Sequence, residues 1–275
     1  MGRMPERRGN PSVTAVLKKL RDAFWLALVA AAGALVVRLF VLGAVYIPSQ
    51  SMEGTLLKGD YLLVNKLLYG ARVGGRPPVI ESAIPFFQLP GLAPIRRGDV
   101  VVFELPAGAL PGAESEPVRF VKRCVGIAGD RVSIVSGRVE VNGERLAIPG
   151  YSGDQSVDFG PVRVPCKGDV VPLTAAALPL WERLIRSEGH ALALSGDRVM
   201  VDGAAVRSYT VEQNHVFVLG DNPAQSYDSR RWGFLPENNI IGNAMIIYWS
   251  SDPSPPDGAG LFRSIRWDRI GARVR

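Results

Sequence analysis

From Ala23 to Ile47 the chain is apolar apart from one charge, Arg38. As a helix this run covers about 37 Å, against a bilayer hydrocarbon core of about 30 Å. Phe24 and Trp25 at one end and Tyr46 at the other fall where aromatic belts sit. The pattern predicts a retained transmembrane anchor over residues 23–46. A cleaved signal peptide has a shorter apolar core and a small-residue cleavage site, which Tyr46-Ile-Pro-Ser does not resemble. A buried core helix is the other reading of such a run. Beyond Met52 the pattern changes to short, β-branched runs bounded by turns. Val100–Phe103, Val132–Val135, Val216–Leu219 and Ile246–Trp249 read as buried strands. Asn142-Gly143 between alternating flanks predicts a hairpin, and Arg198-Val-Met-Val-Asp-Gly echoes it. One helix is expected over 174–188, with Thr174 as cap and Gly189 as stop, although Pro179 works against it. The expectation is a mainly β fold, an antiparallel, barrel-like sheet with little helix, preceded by one transmembrane helix.

Charge divides this pattern further. The net charge is +6, and it sits at the ends. Arg3, Arg7, Arg8, Lys18, Lys19 and Arg21 face only Glu6 and Asp22 ahead of the apolar run. Five arginines over 261–275 face only Asp268. A near-neutral body argues against nucleic acid as the partner and for solvated tails or contact with a lipid bilayer. The positive-inside rule puts the N-terminus in the cytoplasm and the rest outside. The organisation read here is a basic cytoplasmic segment over 1–22, the anchor over 23–46, an extracytoplasmic domain over 47–260 and a basic tail over 261–275. The 30 glycines and 21 prolines fit many turns and short strands. Two cysteines exclude a disulfide-dense scaffold, and two histidines 25 positions apart show no zinc-protease spacing. No metal or other cofactor is expected. Pairing of Cys124 with Cys166 stays open.

Four blocks stand out beyond the strand pattern: Ile47-Pro-Ser-Gln-Ser-Met-Glu-Gly-Thr-Leu followed by Gly59-Asp60; Arg97-Gly-Asp-Val-Val-Val-Phe; Arg119-Phe-Val-Lys-Arg-Cys-Val-Gly-Ile-Ala-Gly-Asp; and Gly220-Asp-Asn-Pro-Ala-Gln-Ser-Tyr-Asp-Ser-Arg-Arg-Trp-Gly. In this order, after an anchor, they resemble the type I signal peptidases, serine endopeptidases of the bacterial plasma membrane. The resemblance runs from the anchor to about Trp249. It implies Ser51 as nucleophile, Lys122 as general base, and the Ser49 hydroxyl with the Ser51 N–H as oxyanion hole. It further implies that Ser226 orients the lysine and that Asp228 and Arg230 form a structural ion pair. Ile47, Met52, Leu56, Leu62, Phe120 and Val121 match substrate-pocket positions, with plain core as their alternative. The implied substrates are preproteins cleaved after small residues in an Ala-x-Ala pattern. Two positions depart from the family pattern. Gly54 replaces a usual proline, which is expected to loosen the turn after Ser51, and Pro223-Ala224-Gln225 replaces a more polar stretch. Residues 150–210 read as a variable insertion.

The chemistry is coherent on its own terms. A serine hydroxyl needs a neighbouring base, and a lysine at its ordinary pKa of about 10.4 is protonated at neutral pH. Burial disfavours the ammonium, and strand alternation puts Phe120 and Cys124 on the same face as Lys122. Three other functions compete. They are a Ser–His–Asp triad using His215 or His190, a self-cleaving repressor of the SOS type using the same dyad, and a non-enzymatic anchored β domain. Ile84-Pro-Phe-Phe-Gln-Leu is read either as core or as a membrane-facing surface carrying Phe86, Phe87 and Leu89.

Overall fold

The computed structural model describes residues 13–75, 84–105, 118–151, 153, 158–255 and 261–275. Helix α1 (Val13–Val36) continues through a π-helical turn, Val37–Val41. Over Val16–Val41 it is long and apolar enough to cross a membrane, and its side chains are exposed, Leu26 at 72%. The expected span reached Tyr46, but Leu42–Tyr46 is a strand, β1. It pairs residue for residue with β2 (Asp60–Asn65), from Leu42 opposite Asn65 to Tyr46 opposite Tyr61. Lys66 Nζ donates to the carbonyls of Arg38 at 2.9 Å and Leu39 at 3.3 Å, satisfying groups that a helix end leaves open. Sheet pairing and this cap end the helix where hydropathy alone would continue it.

The chain then forms a long hairpin, β3 (Val100–Leu105) with β4 (Val118–Gly126), in which Val101 faces Lys122. β5 (Arg131–Val135), β6 (Arg138–Val141), β7 (Glu144–Arg145) and β8 (Phe159–Arg163) make a small sheet in the order β8-β5-β6-β7. Asn142 (φ 55°) and Gly143 (φ 84°) turn its second hairpin in the left-handed conformation the dipeptide favours. Asp202 and Gly203 repeat that geometry at φ 49° and 81°, so the sequence echo is a second hairpin of the same kind. α2 (Leu178–Ser187) starts four residues after Thr174, whose hydroxyl accepts from Ala177 N–H at 3.1 Å. Pro179 lies in its first turn, where a missing N–H costs nothing. Residues 170–211 enclose their own cluster, including Leu184, Ile185 and Val199.

β9 (His215–Leu219), β10 (Leu235–Pro236) and β11 (Ile240–Ser250) complete an antiparallel sheet of order β1-β2-β11-β3-β4-β9-β10. Both of its faces are covered. Val100 and Val102 join Ile47, Met52 and Leu62 on one side, while Val101 and Phe103 join Cys124 and Val218 on the other. A strand buried on both faces reads as a continuous apolar run, which is why 100–103 shows no polar alternation. Ile84–Gln88 pairs with Arg72–Gly75, and the side chains of Phe86 and Phe87 lie outside the described residues. Both cysteines are free, Cys124 in the core and Cys166 near the surface.

The C-terminal segment is not a solvated tail. Arg269 forks onto fully buried Asp60, Nη2–Oδ2 2.6 Å and Nε–Oδ1 3.1 Å. Val274 N–H donates to Met245 O at 2.9 Å, and the Arg275 carbonyl accepts from Arg123. The segment's basic charge is spent partly on an inward carboxylate, which composition by itself cannot reveal. Removing one partner of a buried pair strands the other. Arg269→Met should therefore destabilise the protein by about 3 kcal/mol. Urea unfolding of the full chain in detergent measures this, and a change near zero would mean that Arg266 substitutes fully.

Candidate active site

The loop from Ile47 to Asp60 is closed at its base by Ile47 N–H to Asp60 O and Gly59 N–H to Ile47 O, both 2.9 Å. Gly59 is obligatory there, since a Cβ would stand 1.9 Å from the Ser251 carbonyl oxygen. Within the loop, Thr55 and Leu56 N–H both bond Met52 O, so one helical turn follows Ser51. Met52 and Leu56 plug that turn into the core at 1% and 0% exposure. Gly54 adopts φ 114°, unreachable for proline, and a Cβ there would press on Pro149 O at 3.0 Å. The expected loosening is replaced by a hydrogen-bonded turn with the 149–150 loop packed on it.

Lys122 reaches this turn from the middle of β4. Its side chain is buried, 2% exposed, and Nζ lies 2.5 Å from Ser51 Oγ. Phe120 places its ring centroid 5.7 Å from the same nitrogen. Burial holds the Lys122 pKa down to about 8, opposed by the carboxylates of Asp228 and Asp221 and aided by Arg230. An amine that gives up its proton more readily than an ordinary lysine is thus in hydrogen-bond contact with a serine hydroxyl. The Ser49 hydroxyl is 3.3 Å from Ser51 Oγ.

A third segment, 220–232, covers the lysine. Asn222 N–H donates to Ser51 O at 3.1 Å. Asp228 is fully buried, caps the short helix α3 (Ser229–Trp232), accepts from Gly220 N–H at 3.0 Å and accepts from Arg230 Nε and Nη2 at 2.8 and 2.9 Å. The Ser226 hydroxyl is buried without a hydrogen-bond partner among the described residues. Sequence reasoning missed Arg123 and Asp221, a bidentate buried pair at 2.8 and 2.7 Å. Arg123 also donates to Gly98 O and Thr55 Oγ1, tying all four motif blocks together. Its adjacency to Lys122 was visible, but an arginine in a strand gives no sign of its partner.

Among the described residues β9 pairs only with residues 123–126 of β4, so the 118–122 half has one edge free there. Among them β1 likewise pairs only with β2. Between these two open edges lies a groove of about 390 Å³, lined by 44–49, Ser51, Met52 and 118–122. Ile47, Met52, Phe120 and Val121 therefore face the groove, whereas Leu56 and Leu62, both 0% exposed, belong to the core alone. The geometry suits an extended peptide adding its backbone to both edges, with its chain passing Ser51. His215 is fully buried, bonds Gln213 O through Nδ1, and is held at a pKa of about 4 by burial. His190 is engaged with Asp202 and Glu212. Neither histidine hydrogen-bonds Ser51.

A family model described as signal peptidase, peptidase S26, matches residues 20–249. Signal peptidase I of Pseudomonas aeruginosa is 35% identical over 233 residues, covering 80% of this chain and 69% of the relative. Signal peptidase I of Aquifex aeolicus is 30% identical over 253 residues, covering 84% of this chain and 86% of its own. A solved signal peptidase I from Enterococcus faecalis overlaps 55% of this chain and 96% of its own, with 18% identity and a TM-score of 0.27. Neither the repressor nor the non-enzymatic alternative is favoured by these matches.

Burial of Lys122 has a stability cost with a definite pH window. Its folded pKa near 8 lies below the unfolded value, so the unfolded state binds more protons between about 8 and 10. Stability from this group therefore rises with pH across that window. Lys122→Met should raise the thermal midpoint below pH 8, with a gain that shrinks toward pH 10. Calorimetry at several pH values tests this, and a gain independent of pH would contradict the cause assigned here.

Proposed function

The chain belongs to the signal peptidase family, peptidase S26, and is a membrane signal peptidase; we propose that Ser51 is its nucleophile and Lys122 its general base. The observation that carries this reading is the 2.5 Å contact between the Ser51 hydroxyl and a buried amine whose pKa is lowered to about 8. The substrate is the signal-peptide-bearing preprotein. Its residues before the cleaved bond lie in the groove between β1 and β4, where apolar Ile47, Phe120 and Val121 suit small side chains.

Lys122 takes the Ser51 proton as Oγ attacks the scissile carbonyl. The oxyanion is received by the Ser51 N–H and the Ser49 hydroxyl. Lys122, now an ammonium, gives its proton to the departing amine, and the acyl group stays on Ser51. A water then loses its proton to Lys122 and attacks the ester, and the lysine ammonium returns that proton to Ser51 Oγ as the signal peptide leaves with a free carboxyl. Asp228 and Arg230 brace the segment over the lysine, and Ser226 steers the amine once substrate is bound. No metal enters any step. The basic segment before α1 stays in the cytoplasm, and the β domain faces outward against the lipid surface of the plasma membrane.

Lys122→Arg tests the mechanism, because guanidinium stays charged at any working pH. Cleavage of a preprotein with an Ala-x-Ala site should fall by about 10⁴-fold or more. In the wild type, kcat/KM should rise with pH along a limb near 8, as the amine loses its proton. Comparable activity of the arginine variant would sink the serine–lysine dyad. Protease added to spheroplasts should digest the β domain and spare residues 1–22, and the opposite pattern would reverse the topology.

A further inference from the structure

A second hollow of about 520 Å³ lies between the small sheet and the 223–231 segment, lined among others by Tyr151, Asp158, Phe159, Ser226, Arg230 and Arg231. It shares no lining residue with the peptide groove. Gly220 separates the two: a Cβ there would stand 2.4 Å from the Ser51 carbonyl oxygen and 2.3 Å from Ser226 Oγ. From the other side, Pro149 and Gly150, the two residues before Tyr151, pack against Gly54 in the turn that follows Ser51. The hollow thus adjoins the reacting serine without belonging to the groove.

Tyr151 Oη and Ser226 Oγ in it are buried with no hydrogen bond among the described residues, and since Ser226 is the proposed lysine-steering group, the hydroxyl left without a role is that of Tyr151. A buried hydroxyl left unpaired weakens the fold, so its retention beside a reactive serine points to a ligand. Burial also raises the Tyr151 pKa, keeping the hydroxyl protonated. Arg230 is committed to Asp228, which leaves Arg231 and Asp158 as one cation and one anion on the walls. A cleft so balanced selects no charged side chain. Hydroxyls that both donate and accept match the alternating N–H and C=O of a peptide backbone.

We infer that this cleft holds the first residues of the mature chain, those following the cleaved bond, with Tyr151 as the residue that binds their backbone. The inference rests on the peptidase reading above and adds a subsite on the leaving side of the serine. Backbone recognition suits an enzyme whose substrates share little sequence after the cut. It also holds the departing amine near Lys122, which must protonate it.

The test uses the full chain in detergent and two peptide substrates identical up to the cleaved bond. One ends as an amide a single residue later; the other continues for four uncharged residues. The longer substrate should have the higher kcat/KM in the wild type, and Tyr151→Phe should cut that advantage by about 3- to 10-fold. The Tm of the variant should be equal or higher, because only an unpartnered hydroxyl is lost. The wild type should lose the same advantage when the second and third amides after the bond are N-methylated, a measurement that needs no variant. An advantage unchanged by both alterations overturns the subsite alone. Failure of the wild type to cut either substrate overturns the peptidase reading, and the subsite with it.

Discussion

An amine removed from water beside a hydroxyl is the interaction on which the rest of this structure depends. Lys122 carries its charge in bulk water at neutral pH, and only its surroundings bring the pKa to about 8. Those surroundings come from three separate stretches of chain: β4 itself, the turn after Ser51, and the 220–232 segment above. Each must approach closely, and each closes around a buried polar group. The cost is a core that contains an ammonium or its neutral form where a hydrocarbon would pack better.

Buried ion pairs hold the covering segments in place. Arg123–Asp221 joins β4 to the segment above it, Asp228–Arg230 braces that segment internally, and Arg269–Asp60 fastens the C-terminus under the Ser51 loop. Pairs of this kind contribute little net stability, because desolvation offsets most of their attraction. Their effect is positional. Each guanidinium also donates to a backbone carbonyl, Arg123 and Arg269 to other segments and Arg230 to Pro223 within its own, so a shift of any of these loops would break several bonds at once.

The groove arises from pairing left unfinished. β9 stops at residue 123 of β4, and among the described residues β1 has a neighbour on one side only. Exposed edges are normally a liability for aggregation. Here they flank Ser51 and Lys122, and the same open backbone groups that invite unwanted pairing are available to an extended peptide. The apolar helix α1 runs through its π-helical turn directly into β1, so the groove begins within a few residues of the end of that helix.

Much of this was written locally. The apolar run of α1, the strands at 100–103 and 216–219, the Asn142-Gly143 turn and its echo at Asp202-Gly203 follow from periodicity and from backbone conformations few residues tolerate. The Ser51 and Lys122 blocks could be picked out because their residues cluster in recognisable order. What the sequence alone could not supply was anything that depends on partners distant along the chain. The helix ends before β1 because Lys66 and β2 intervene; Arg269, of the basic C-terminal residues, turns inward because Asp60 is buried there. Leu56 and Leu62 fall in the core and Ile47 in the groove, although all three read alike as apolar positions. The Tyr151 hydroxyl is conspicuous only once its lack of a partner is seen. Local composition determines which conformations are cheap, whereas burial and electrostatic partnership are properties of the packed whole, and the chemistry of Lys122 belongs to the second kind.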